Sequence, residues 1–390
     1  MHTRRTLGAI AAATLVAGAG VIAQNGNHLN ANSKNVLTLA VYGDSPYGTS
    51  PTDTVQTDKT AAFIDSINKD PKVDLVLHVG DIHSGSQFCT ESYDRTIADL
   101  WLGFKNPVVY TPGDNEWTDC HKKKQGGHLG VDYADGDPLA NLDLVRSIFF
   151  ANPGYALGGR HKQVLTQAQQ YDLGHPEDGE YVENVMWEQA GVLFVTVNIP
   201  GGSNNDDDQW NPAAFGAAKS ATQIHEVAQR TGADLRWLDA AFARAKAHGA
   251  KAVLIMEQAD MWDLDGTGPS LSHIANYEPF IASIAALTRD FGKPVLLIDG
   301  DSHHYRSDNP LLDNAPCVIE TGVGTQTTVC TDDNYDTHPY YAGGVANFHR
   351  LTVHGSTFPL EYTRLTVNPR ASGATTSTSF GPFSWERVIP

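Results

Sequence analysis

Four apolar runs in this chain stop at the same dipeptide. Residues 36–42 run into Gly43-Asp44, residues 73–79 into Gly80-Asp81, Val108-Val109-Tyr110 into Thr111-Pro112-Gly113-Asp114-Asn115-Glu116, and residues 295–298 into Asp299-Gly300-Asp301-Ser302-His303. A short apolar run bounded by a turn signal reads as a buried strand. In an open α/β sheet, ligands bind in the crevice beyond the carboxyl ends of the strands. Each run therefore carries a carboxylate to that crevice, and the last adds an imidazole. A single Gly-Asp after a strand is ordinarily a turn, and Gly136-Asp137, which follows no apolar run, reads as one. Four strand-linked copies closed by His303 read instead as one metal site gathered from distant parts of the sequence.

Between the runs lie helical patterns. Phe63, Ile64 and Ile67 share a face, as do Tyr93, Ile97, Leu100, Trp101 and Phe104. Strand and helix thus alternate through residue 110, which predicts a parallel sheet with right-handed crossovers. Residues 119–179 lose the periodicity and read as an insertion just beyond the Gly113-Asp114 turn, where it would shape access to the site. Two strands joined at Gly191 follow, then a helical face at Leu235, Leu238, Phe242 and Ala245. The strand 252–256 ends in Glu257-Gln258, and a further helix carries Phe280, Ile281, Ile284, Leu287 and Phe291. Beyond His304, short alternating runs predict antiparallel strands forming a second sheet. The expected organisation is one domain over residues 36–368 and a Ser/Thr/Gly-rich tail at 369–390, whose end docks through Phe380, Phe383 and Trp385.

The formal net charge over 390 residues is -18. Nonspecific nucleic-acid binding and attachment to anionic membranes both rely on clustered Lys and Arg, so this balance argues against each. It would also repel a phosphate-bearing substrate unless cations sit in the site. Arg4-Arg5 ahead of apolar residues 7–23 resemble a twin-arginine export signal, with residues 1–23 as the signal peptide and 24–35 as a polar linker. That run is short and Ala/Gly-rich for a bilayer span and no later run matches it, so the expectation is a secreted or periplasmic protein with no membrane span. After export, Cys89, Cys120, Cys317 and Cys330 would pair. Cys89 and Cys120 follow turns of what would be neighbouring strands, which predicts their pairing and leaves Cys317 with Cys330.

In order and spacing, Gly43-Asp44, Gly80-Asp81, Gly113-Asp114-Asn115-Glu116 and Gly300-Asp301-Ser302-His303 resemble the calcineurin-like metallophosphoesterase family, over roughly residues 36–304. The family pattern is Asp-x-His, Gly-Asp, Gly-Asn-His-Asp/Glu, a lone His and Gly-His-x-His, each at a strand end and together holding two metal ions. The resemblance implies an α/β fold, an αββα four-layer sandwich with a parallel-rich first sheet and an antiparallel C-terminal second sheet. It implies Asp44, Asp81, Asp114, Asp301 and His303 as metal ligands, with Asp81 bridging. For the lone histidine the polar candidates at the matching strand end are Gln258 and Glu257, with Gln258 expected to ligate.

Five positions depart from the family: Asp114 replaces the asparagine, Asp301 the first histidine of the last motif and Gln258 the lone histidine, and Pro46 and Asn115 replace the other two. Pro46 stands where the first-motif histidine belongs, and Tyr47 or His83 is the candidate to fill that vacancy; purple acid phosphatases of the same superfamily use a tyrosine from the second motif. Asn115 stands at the catalytic histidine. An amide cannot give a full proton to a leaving alkoxide but can hydrogen-bond a phosphoryl oxygen, so Asn115 is read as that donor. His83, His121, His128 and His304 are then the candidate acids, with Tyr47, His83 and His304 as substrate contacts. Exchanging imidazoles for carboxylates implies one or two divalent or iron ions in an oxygen-rich site, with Mn, Mg, Fe or Ca preferred over Zn. The function implied is exported, metal-dependent hydrolysis of a phosphate monoester or diester, in a small molecule or a phosphorylated partner. The alternative is a metal- or phosphate-binding protein that kept the scaffold without turnover.

Overall fold

The computed structural model describes residues 35–205, 209–210, 219–262, 274–312, 315, 317–320, 327–330, 344–355 and 360–390. The expected signal peptide and all but the last residue of the linker lie outside the described residues. Among the described residues no helix is long and apolar enough to cross a membrane.

The first sheet begins with β1 (Leu37–Tyr42), β2 (Leu75–His78) and β3 (Pro107–Tyr110), which are parallel, and with β4 (Leu157–Gly158), an antiparallel edge. The second sheet holds β5 (Leu165–Thr166), β6 (Val185–Gln189), β7 (Val192–Thr196), β8 (Ala252–Met256), β9 (Val295–Asp299), β10 (Arg306–Asp308), β11 (Cys317–Glu320), β12 (Thr327–Cys330) and β13 (Phe348–Thr352). The chain then returns to the first sheet as β14 (Tyr362–Val367), β15 (Gly373–Thr376), β16 (Ser379–Gly381) and β17 (Phe383–Val388). The spatial orders are β15-β16-β17-β14-β1-β2-β3-β4 and β12-β11-β10-β13-β9-β8-β7-β6-β5.

This is the expected α/β sandwich, with one difference in how the strands are shared. The strands after His304 were expected to make an antiparallel sheet of their own. They divide instead: β13 lies parallel beside β9, β10 and β11 continue antiparallel from it, and β14 runs antiparallel against β1. Both sheets are therefore mixed, each with a parallel centre. The long helix Ala221–Ala247 connects β7 to β8 and the helix Glu278–Phe291 precedes β9, and such crossovers make β7, β8 and β9 parallel neighbours. The tail joins the fold too, since β17 pairs with β14 along its whole length and buries Phe383 and Trp385.

Period-two alternation builds the layers. Along β1, Leu39 and Val41 enter the core between the sheets, where Leu77, Phe194, Leu254 and Ile298 meet them. Ala40 and Tyr42 point the other way, onto Phe63, Ile97 and Trp101 of the helices Val55–Lys69 and Glu91–Trp101. On the far side Val253 and Ile255 pack on Trp237, Phe242, Ile281 and Ile284. Burying one such aliphatic side chain contributes about 1.5–3 kcal/mol, so the three clusters fix the register of each strand, and with it the height of each strand end. Gly136-Asp137 ends as a helix cap: the Asp137 carboxylate accepts the Ala140 N–H, and Pro138 opens the helix Pro138–Phe149. Cys89 and Cys120 form a disulfide with Cα atoms 5.7 Å apart. Cys317 is disulfide-bonded, and its register partner across β11 and β12 is Cys330.

Candidate metal centre

Because β1, β2 and β3 point one way and β7, β8 and β9 are parallel in the other sheet, their carboxyl ends bring separate turns to one rim. Adjacent turns are stitched by backbone: Asp44 N–H donates to the Gly80 carbonyl at 3.0 Å, Ser45 N–H to the Asp81 carbonyl at 3.0 Å, and Gly300 N–H to the Gln258 carbonyl at 2.9 Å. Asp44, Asp81, Asp301 and His303 all adopt left-handed backbone, with φ of 46, 57, 67 and 61°. Non-glycine residues held there cost of order 1 kcal/mol or more and gather where function over-determines the backbone. At Gly113 the reason for glycine is steric, since a Cβ would overlap the Asp81 carboxylate.

Two ligand clusters share Asp81. Asp44, Asp81 and His303 offer donor atoms within 4.8 Å of one another, as do Asp81, Asp114 and Asp301. The Tyr47 phenol sits inside the first cluster. It donates to Asp81 Oδ2 at 2.6 Å and to Asp44 Oδ1 at 3.4 Å, and stands 3.3 Å from His303 Nε2. Asp44 and Asp81 are fully buried, and Asp301 and His303 open toward solvent. Asp44 Oδ2 is buried and makes no hydrogen bond. Burial, then the charges of Asp114 and Glu116, push the Asp44 carboxyl up to about 8 against the pull of the Asp301 N–H. Burial and the same neighbours raise Asp81 well above the ordinary carboxylate range. This many carboxyls cannot ionise together without a cation, and the oxygen-rich donor set with one imidazole fits a hard divalent or ferric ion.

The other expected residues fall in different places. Asn115 lies beside the first cluster, but its amide is engaged: Nδ2 donates to Asp81 Oδ2 at 2.7 Å and to the Tyr47 oxygen at 3.1 Å. Both contacts are to the cluster's own side chains, where a donor to a phosphoryl oxygen is expected from the sequence. Gln258 reaches the second cluster with the wrong end for a ligand. Its Oε1 accepts the Gly201 N–H at 2.6 Å, which turns Nε2 toward Asp114 Oδ1 and Asp301 Oδ1, each at 3.1 Å. His83 is sealed from solvent, its Nδ1 3.2 Å from the Ser84 carbonyl, and burial lowers it to about 4. That removes it as a substrate contact or acid. His121 is buried on the Thr118 carbonyl at 2.6 Å, while His304 is exposed next to His303.

Two supports escaped the sequence reading. Glu116 Oε1 lies under Asp81 and accepts N–H from Gly113 at 2.7 Å and from Asp81 at 3.2 Å, with the Tyr110 hydroxyl at 2.5 Å. Its place two residues after Asp114 was visible, its inward direction was not. Gly201 arrives from the turn after β7, and no local signal links it to the aspartates.

A family model described as calcineurin-like phosphoesterase matches residues 37–235. No curated protein matches the chain. Among solved structures, PhoD is similar at 11% identity and a TM-score of 0.45, over 86% of this chain and 64% of its own. The chain thus spans less than two thirds of that protein. The purple acid phosphatase PPD1 from yellow lupin (Lupinus luteus) seeds is similar at 12% identity and a TM-score of 0.41, over 85% of this chain and 49% of that one. The phosphopantetheinyl hydrolase PptH from Mycobacterium tuberculosis is similar at 10% identity and a TM-score of 0.34, over 82% and 90%.

Proposed function

We propose, on the premise that this chain belongs to the calcineurin-like phosphoesterase family, that it hydrolyses phosphate monoesters or diesters at a metal centre held by Asp44, Tyr47, Asp81 and His303. The observation that carries the reading is the meeting of these four side chains from three distant segments around the buried, unpartnered Asp44 Oδ2. A bound Mn, Mg, Ca or Fe ion would supply a lowered water pKa and charge neutralisation at the phosphoryl oxygens. Asp81 is shared by both clusters, and Asn115 and Glu116 hold its carboxylate and its N–H in place. Asp114 and Asp301 extend the negative wall that keeps a cation at the rim. His304, exposed beside His303, is our candidate to protonate a leaving alkoxide.

The reading extends to an exported enzyme. Arg4-Arg5 with apolar residues 7–23 supports it from the sequence, and a Cys89–Cys120 disulfide suits an oxidising compartment. Residues 36–368 with the strands after them are read as one domain, because β14 and β17 complete the sheet that β1 begins.

One observation favours a second reading, a binding protein without turnover: Asn115 replaces the family's acid and its amide is spent on Asp81. Asp81→Ala separates the cases. Metal-dependent thermal stabilisation should vanish in the variant under both readings, since a ligand that binds only the folded chain adds to its stability. Metal-dependent phosphate release by the wild type supports the enzyme; stabilisation without release from any ester supports the binder.

A further inference from the structure

We infer that Gln258 closes the second metal subsite, so that this chain holds one metal ion where its family pattern provides for two. The inference rests on the metal-centre reading above and deepens it.

The two clusters differ in what faces their carboxylates. The first offers a cation the unpartnered Asp44 Oδ2, a phenol oxygen and an imidazole; the Asn115 amide there donates to Asp81 Oδ2 and to the phenol and leaves Asp44 Oδ2 uncovered. In the second, Asp114 Oδ1 and Asp301 Oδ1 already share the Nε2 of one buried amide, at 3.1 Å each. That nitrogen has two hydrogens and can give one to each of these oxygens. It brings a partial positive charge to the gap between two anions, and it has no lone pair to give a metal.

The direction of the amide is set by chemistry. An N–H can only donate, so the atom 2.6 Å from Gly201 N must be the Gln258 oxygen. A half-turn of the amide would set donor against donor. Gly201 itself is held. The turn that follows runs through Gly202, Ser203, Asn204 and Asn205 at φ of 60, 59, 58 and 61°. The fully buried Arg230 clamps this left-handed stretch, Nη1 donating to Asn204 Oδ1 at 2.5 Å and to the Asn198 carbonyl at 3.2 Å, and Nη2 to the Asn204 carbonyl at 3.1 Å. The same backbone also crowds the gap: a Cβ at position 201 would stand 2.7–2.9 Å from the Asp301 and Asp114 oxygens. From Arg230 through Gly201 to Gln258, the hydrogen bonds all run toward keeping the amide donor where a second ion would need oxygen.

The test is a count of ions. The full chain is stripped with chelator, reloaded with excess Mn, freed of loose metal and weighed by native mass spectrometry. The wild type should carry one Mn. Gln258→Glu keeps an acceptor for the Gly201 N–H, removes the donor and adds a carboxylate, so it should carry two; Gln258→Ala, which deletes the donor together with the acceptor for Gly201, serves if the glutamate variant does not fold. Two ions in the wild type would overturn the inference and leave the metal-centre reading standing. No ion in the wild type would overturn both. One ion in the wild type and in each folded variant would show that Gln258 is not what excludes the second.

Discussion

The phenol oxygen of Tyr47 stands 2.6 Å from Asp81 Oδ2, on the far side of a proline that occupies the place of a family ligand. One residue of displacement along the chain thus exchanges an imidazole for a phenol without leaving the rim. If Tyr47 ligates, Tyr47→Phe should weaken metal binding by at least about 10- to 100-fold, the loss typical for outer groups that only hydrogen-bond a metal ligand. With ferric iron, the visible absorption of an iron-bound phenolate should disappear in the variant. Unchanged affinity and retained colour would remove Tyr47 from the ligand set.

The Cys89–Cys120 disulfide bears on the site through Asn115. Its two sulfurs lie 3.4 and 3.6 Å from the Asn115 carbonyl oxygen, which also accepts the Gln125 amide at 3.0 Å. For a sequence separation of 31, the chain-entropy model gives roughly 3 to 4 kcal/mol of stabilisation. The double variant Cys89→Ser with Cys120→Ser should lower the melting temperature and also weaken Mn binding, because Asn115 orients Asp81. A lower melting temperature with unchanged Mn affinity would confine the disulfide to stability.

His78 predicts a pH dependence. The Gly80 N–H donates to its Nδ1 at 3.2 Å, so the proton sits on Nε2, which donates to the Ser45 carbonyl at 2.9 Å. Protonating Nδ1 would set donor against donor, and burial lowers the group from 6.5 to about 4. Between those values the unfolded chain binds the proton and the folded chain does not, so stability rises with pH across the window and is lost as pH falls from 6.5 toward 4. Each unit of pH is worth up to about 1.4 kcal/mol per such histidine. Urea midpoints of the wild type should fall across this window more steeply than those of His78→Gln. Parallel profiles would contradict the neutral buried assignment.

The residues of the rim were legible because their signals are local. An apolar run and the Gly-Asp after it lie within ten positions, so Asp44, Asp81, Asp114 and Asp301 could be found one strand at a time. The pairing of Cys89 with Cys120 followed from the adjacency of β2 and β3. What stayed hidden depends on distant partners. The sense of the Gln258 amide is decided by an N–H 57 residues away in sequence, and the burial of His83 by the Tyr93 ring packed against it. Sheet membership is also nonlocal: β13 and β14 are neighbours in the chain with similar alternation, yet one pairs with β9 and the other with β1. The strands β15 to β17 were masked by Gly, Ser and Thr, which read as a loose tail until Phe380, Phe383 and Trp385 meet the inter-sheet core.

On the function proposed, hydrolysis of a phosphate ester depends on a cation at the Asp44, Tyr47, Asp81 and His303 cluster. Its most direct test is phosphate release from an aryl phosphate monoester and diester by chelator-stripped protein, before and after addition of Mn, Mg, Ca or Fe. The stripped chain should release no phosphate, and release should return with at least one of these ions and be lost again in Asp81→Ala. Release that is equal with and without metal, or that survives in Asp81→Ala, would contradict it.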